Sequence, residues 1–296
     1  MIDFLKQHPE YQTRPFFIVG ENYGGKMAVE FAKTLYQAIQ SGVVSMAAFK
    51  GVGLGGSWIS PMDFVHTWGP YLYAQSYLDD QKLDQLNQQL SSCDYFYNIT
   101  NWTEAVDYCW INIKPDIATF TGDEGDLTGG VSWYNVLKKR GDQDDSDVDP
   151  FGDKISNYMN TVVRRKLSII PDDVYFGSQG SSVFDFSFDF MQPNWDTVDL
   201  LLNYGLQVTV FNGQLDLICN TMGAEMWVNR LKWSGLSKWK QVGKLPFETK
   251  NFRLAGYTKT YKNFKFVWIL RSGHRVARDT PESGLFVLQQ MIDMWK

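Results

Sequence analysis

The stretch Gly20-Glu21-Asn22-Tyr23-Gly24 constrains this chain more than any other, because of what flanks it. Before it, Arg14-Pro15 leads into Phe16-Phe17-Ile18-Val19, a short unbroken apolar run bounded by Pro and Gly. Such a run reads as a strand buried on both faces, as in a parallel sheet. After the turn the period changes. Met27, Ala28, Phe31, Ala32, Leu35, Ala38 and Ile39 recur at three- and four-residue steps, predicting an amphipathic helix that stops near Gly42. Ala47-Ala48-Phe49 and Val52-Gly53-Leu54 follow as a second strand. Strand, tight glycine turn, helix and strand make a βαβ unit, which sets the fold class as α/β.

The same rhythm returns late in the chain. Leu206 to Phe211 and Phe264 to Leu270 read as buried strands, and residues from Met222 to Leu231 as a helix. A last helix is announced by Thr280 as N-cap, Pro281 in the first turn and Glu282 beside the positive end of the dipole. Its expected buried face is Leu285, Leu288, Met291, Ile292 and Trp295. At the other end of the chain, residues 3–8 read as the end of a helix stopped by Pro9. Between the two α/β parts, 1–60 and 194–296, residues 61–193 lose the alternation and read as a mainly helical inserted lid. That insertion holds a polar helix from Asp79 to Gln89 and the acidic run Gly141 to Asp149. The run lacks the residue order of a calcium loop and is expected to be a solvated loop. A length of 296 residues fits one large domain, or one carrying a big insertion.

With 44% apolar and 21% charged residues, disorder and collagen-like structure are excluded. A formal net charge of −5 with no basic stretch argues against nucleic-acid binding. No segment reaches the ~18 consecutive apolar residues of a membrane span, and the opening Met1-Ile2-Asp3-Phe4-Leu5-Lys6 does not read as a signal peptide. Cys93, Cys109 and Cys219 have no Cys-x-x-Cys spacing, so no zinc ribbon or redox motif is expected. The sequons at Asn98 and Asn101 lie between Cys93 and Cys109, which favours an oxidising secretory compartment and a Cys93–Cys109 bridge.

Chemistry enters through three strand ends, where α/β proteins build their sites. The Gly20–Gly24 turn has the strand-to-helix context of a nucleophile elbow, which lifts one side chain above the sheet. Asp216 follows one late strand and His274 the other. Of the three histidines, His8 precedes the first strand and His66 lies in the insertion, leaving His274 placed to be the base. Nucleophile, acid, base is the chain order of α/β-hydrolases. Any one of these residues alone would be a turn residue, a loop acid or a structural histidine; their joint placement makes the site.

Gly20-Glu21-Asn22-Tyr23-Gly24-Gly25-Lys26 resembles the Gly-Glu-Ser-Tyr-Gly-Gly-Lys elbow of the serine carboxypeptidases, in particular the retinoid-inducible and vitellogenic-like branch. Asn212 to Asn220 resembles that family's aspartate segment, and Gly273-His274 with Asp279 its histidine segment. Gly53 to Pro61 and Tyr71-Leu72-Tyr73 match as well, so the resemblance runs through essentially the whole chain. It implies an α/β-hydrolase fold, release of C-terminal amino acids from peptides, usually at acid pH, and no cofactor or metal. It further implies that His274 is the base, oriented by Asp216, and that the Tyr23 N–H is an oxyanion donor. Glu21 would grip the substrate carboxylate when protonated, and Cys219 would be a free thiol lining the pocket. By resemblance, the protein is expected to be secreted or lysosomal.

The chain departs from the pattern at three places. The nucleophile position is Asn22, and a carboxamide has no proton that an imidazole can usefully remove. Arg275 puts a charge where the branch has an apolar residue, available to pair with a carboxylate such as Glu21. Met1 falls just before the nucleophile strand, so the resemblance implies an absent N-terminal portion and an exposed strand edge at Phe16–Val19. The expectation is a carboxypeptidase relative that is catalytically inactive as it stands and binds peptide ends or a partner protein. The competing readings are a truncated form of an active enzyme and a product with no stable fold of its own.

Overall fold

The computed structural model describes residues 1–46, 48–111, 131–138, 152–177 and 187–294. The acidic run from Gly141 to Asp149, together with Ala47 and Trp295, therefore lies outside the described residues.

Six strands form one sheet in the order β1-β2-β3-β6-β5-β4. They are β1 (Phe16–Glu21), β2 (Phe49–Gly55), β3 (Gln207–Gly213), β4 (Leu245–Phe247), β5 (Gly256–Tyr261) and β6 (Phe264–Ile269). The first four in spatial order run parallel, while β5 and β4 return antiparallel. Strand β6 is buried at every residue; even Lys265 is covered and donates to Gln290 Oε1 at 2.6 Å. That agrees with the continuous apolar run expected of a central parallel strand.

Strand β1 departs from the doubly buried strand its apolar run suggests and agrees with the exposed edge expected at Phe16–Val19. Among the described residues it pairs only with β2 and so stands at the sheet edge. One face is only partly covered: Phe17 packs against the cluster of Val287 and Met291, while Val19 is 50% exposed. An apolar run reports burial on both faces only when both faces have neighbours.

Seven helices matter for the site: α1 (Ile2–Gln7), α2 (Tyr23–Gln40), α3 (Pro61–Ala74), α4 (Asp80–Asn98), α5 (Trp195–Asn203), α6 (Thr221–Arg230) and α7 (Pro281–Asp293). Helix α2 buries Ala28, Val29, Ala32 and Leu35, while Met27 and Phe31 are exposed, against expectation. Its phase is fixed at its start. A Cβ on Gly25 would lie 2.2 Å from Ser57 Oγ, so this turn of the helix is pressed against the loop after β2. Helix α7 is likewise turned from its expected face. Ser283, Val287 and Met291 face the sheet, while Leu285 (68% exposed), Leu288 and Ile292 point out. Thr280 occupies the N-cap but caps nothing; its hydroxyl donates to Val276 O at 3.4 Å.

Among the described residues, the segment between β2 and β3 is strand-free. Helix α3, its first element, does not lie over the core but belongs to it. Trp68 donates to Ile218 O at 3.1 Å and Tyr71 to Gln214 O at 2.7 Å, tying α3 to the loop after β3. Trp58, Trp68, Trp133 and Trp227 are fully buried in one hydrophobic cluster. Rings pack edge to face where Trp68 meets Trp133 at 4.9 Å, an arrangement worth ~0.5–1.5 kcal/mol beyond area burial. A disulfide joins Cys93 in α4 to Cys109, and Cys219 is free and buried.

Candidate active site

The turn between β1 and α2 is held in a backbone shape that few residues accept. Asn22 has φ 56° and ψ −128°, well outside the regions open to most side chains. Holding it there costs of order 1–3 kcal/mol, which the surroundings must supply. They do so through Asn22 O, which accepts from Gly25 N at 3.0 Å and from Trp58 N at 2.9 Å, and through Asn22 N donating to Gly55 O at 3.2 Å. Glycine at position 20 is a steric requirement, since a Cβ there would sit 2.2 Å from Gly24 O.

Asp216 and His274 reach the same place from the ends of β3 and β6. His274 Nδ1 and Asp216 Oδ2 are 2.8 Å apart, and the two residues are 2% and 0% exposed. The second oxygen, Asp216 Oδ1, accepts from Cys219 N at 3.0 Å, so this buried carboxylate is satisfied on both sides. The loops carrying the pair are pressed together: a Cβ on Gly213 would lie 2.1 Å from Gly273 O. His274 N donates to Tyr134 O at 2.7 Å, and Asp279 Oδ2 accepts from both Gly273 N (2.8 Å) and Asn135 Nδ2 (3.0 Å).

The Asn22 carboxamide completes a continuous chain. Its Nδ2 lies 2.9 Å from His274 Nε2, and its Oδ1 accepts from Tyr23 N at 2.6 Å. An amide donor facing Nε2 requires that nitrogen to be an unprotonated acceptor, with the imidazole proton on Nδ1 toward Asp216. The carboxamide therefore engages both the imidazole and the backbone N–H beside it. Burial disfavours the charged imidazolium, yet the Asp216 charge and hydrogen bond, with Glu21 behind them, hold the His274 pKa above its ordinary value. The Asn22 N–H acts in the opposite sense, since it has an acceptor only while Nε2 is unprotonated.

Glu21, Cys219 and Arg275 lie close to this chain of bonds. Burial lifts the Glu21 carboxyl above the usual carboxylate range, outweighing the lowering effect of nearby His274 and Arg275. Burial, then the charges of Asp216 and Glu21, push the Cys219 thiol well up, so it remains a thiol and not a thiolate. Arg275 is half-buried, with its guanidinium over the Tyr134 ring at 5.9 Å. Asn98, at the end of α4, and Asn101 are exposed and remote from the elbow in sequence.

Two features escaped the sequence reading. Lys26 is buried in α2 and donates to the carbonyls of Asp189 (2.5 Å), Gln192 (2.6 Å) and Phe190 (3.4 Å). Burial lowers its pKa to about 8. This clamp holds Phe190 against the Tyr23 ring, stacked at 6.3 Å, while Tyr23 Oη donates to Asp189 at 2.6 Å. The second is the segment 131–138, whose Trp133 O accepts from Leu217 N and Ile218 N and whose Tyr134 O fixes His274. Nothing in its composition marked it, because its role is carried by backbone carbonyls. Among the described residues no cluster of His, Cys, Asp or Glu could hold a metal ion, and no helix is long and apolar enough to cross a membrane.

An acid–histidine pair and a strained elbow at the carboxyl ends of a mostly parallel sheet define an α/β-hydrolase. A solved yeast structure, the prohormone-processing carboxypeptidase Kex1Δp from Saccharomyces cerevisiae, superposes with a TM-score of 0.81 over 98% of this chain and 64% of its own, at 20% identity. That likeness carries the fold. The profile of the serine carboxypeptidase family matches residues 1–294. Retinoid-inducible serine carboxypeptidase from Mus musculus is 39% identical over 97% of the chain, and its Homo sapiens counterpart 38% over the same share. Serine carboxypeptidase-like 51 from Arabidopsis thaliana is 37% identical over 90%. The chain belongs to the serine carboxypeptidase family, and it spans 66% of the length of the mouse and human relatives.

Proposed function

We propose that this chain is a serine carboxypeptidase relative that binds the free C-terminal ends of peptides without hydrolysing them. The observation that carries this reading is the Asn22 carboxamide, bonded at once to His274 Nε2 (2.9 Å) and to the Tyr23 N–H (2.6 Å). General-base catalysis needs a proton on the nucleophile that imidazole can take, and the amide nitrogen lone pair is delocalised. Loss of the triad serine in the subtilisin example costs roughly 10⁶ in kcat, and binding outlasts it. Here Glu21 stands beside the elbow to meet a terminal carboxylate, while Phe190 and Tyr23 supply apolar wall.

The exposed sequons at Asn98 and Asn101 and the Cys93–Cys109 bridge favour a glycoprotein of the secretory route. Incubating the protein with a blocked dipeptide carrying a free C-terminus tests the reading, alongside the same dipeptide amidated. Saturable binding of the free acid with no release of the terminal amino acid is expected. Steady release of that amino acid would overturn it.

A further inference from the structure

Glu21 directly precedes Asn22 and Arg275 directly follows His274, and with Asn22 and His274 2.9 Å apart the Glu21 carboxyl lies within electrostatic reach of the Arg275 guanidinium. The acids around this pair differ in what they already hold. Asp216 is saturated by His274 and the Cys219 N–H. Asp279 accepts from the Gly273 N–H and Asn135, and Lys138 lies 3.8 Å from its other oxygen. The Glu21 carboxyl has no hydrogen-bond partner among the described residues. The Arg275 guanidinium likewise makes no ion pair or hydrogen bond among them; it rests over the Tyr134 ring, whose own neighbour at 5.2 Å is the His274 ring.

A half-buried guanidinium with open donors, beside the Tyr134 and His274 rings and within electrostatic reach of Glu21, is matched to a carboxylate through its planar fork. Building on the reading of a peptide-end site, we propose that Arg275 anchors the ligand's free carboxylate and frees its recognition from the protonation of Glu21.

The charges facing Arg275 fix the pH behaviour. Glu21, Asp216 and Asp279 are the acids within reach, and His274 and Lys138 the other cations. At acid pH a protonated Glu21 and a charged His274 both favour a bound carboxylate. Toward higher pH both groups give up their protons and that support weakens, leaving Arg275, a guanidinium throughout, as the constant attraction. A site relying on Glu21 alone would release its ligand between these limits.

The test is calorimetric binding of a free-acid tripeptide and its amide at pH 5 and pH 7.5, with Arg275→Met and Arg275→Lys beside the parent. We expect the parent to prefer the free acid at both pH values. Arg275→Met should lose roughly tenfold or more in affinity at pH 7.5 and much less at pH 5, while Arg275→Lys recovers part of the loss. Thermal melts matching the parent show that the variants fold. Equal affinities for parent and Arg275→Met at both pH values would overturn the role of Arg275 and leave peptide-end binding standing. A parent that fails to distinguish acid from amide at either pH would remove the peptide-end reading, and Arg275's role with it.

Discussion

Substituting alanine for Asn22 removes the amide N–H that faces His274 Nε2 at 2.9 Å. In the parent, protonating that nitrogen puts two donors against each other. The carboxamide can relieve the clash by turning over, but Oδ1 then leaves the Tyr23 N–H it accepts from at 2.6 Å. Either way one hydrogen bond is lost, a net cost of ~0.5–1.5 kcal/mol. At ~1.4 kcal/mol per pH unit, Asn22→Ala should raise the His274 midpoint by ~0.4–1.1 pH units. The chain holds three histidines, so a titration followed by nitrogen-15 NMR on histidine-labelled protein resolves each. His8, beside Glu10, and His66, paired with Asp94, give the other two sets of imidazole signals. The native His274 midpoint lies above its ordinary value, so the attraction to Asp216 stabilises the fold fully below the unfolded midpoint. That contribution fades as pH rises through the native one. A His274 midpoint that stays put or falls in Asn22→Ala would refute the bridging role of the carboxamide.

Other consequences can be read from stability. Lys26→Met strips the donor from the buried carbonyls of Asp189 and Gln192, and should destabilise the protein by ~2–4 kcal/mol in urea unfolding. Replacing both Cys93 and Cys109 by alanine opens a loop spanning 16 residues, which by loop-closure entropy should cost ~3 kcal/mol, measured the same way under oxidising conditions. Gly213→Ala places a Cβ 2.1 Å from Gly273 O, backbone against backbone, and should abolish the cooperative melt; a melt like the parent's would mean the two loops can move apart.

The elbow and the acid–histidine pair were legible because their signals are steric and topological. Glycine at 20 is dictated by the 2.2 Å approach to Gly24 O, and the order Asn22, Asp216, His274 by the sheet that carries them. The faces of α2 and α7 were not. Both helices carry two apolar stripes, and the stripe that meets the sheet is chosen by contacts such as Gly25 on Ser57 and Met291 on Gly53. Lys26 escaped for a different reason: a lysine in an amphipathic pattern reads as solvent-facing, and only the folded chain brings backbone carbonyls from residues 189–192 around it. The contribution of Tyr134 was invisible because its main-chain oxygen, common to every residue type, does the work.

The central claim is that the residue at position 22 alone decides whether the Asp216–His274 pair has a proton to move. Assaying the unmodified chain and Asn22→Ser side by side, on a blocked dipeptide with a free C-terminus at acid pH, tests it most directly. Release of the terminal amino acid should stay at the buffer rate for the parent and rise at least ~10³-fold for Asn22→Ser, within the ~10⁶ that a triad serine supplies. Equal turnover by the two proteins would contradict it.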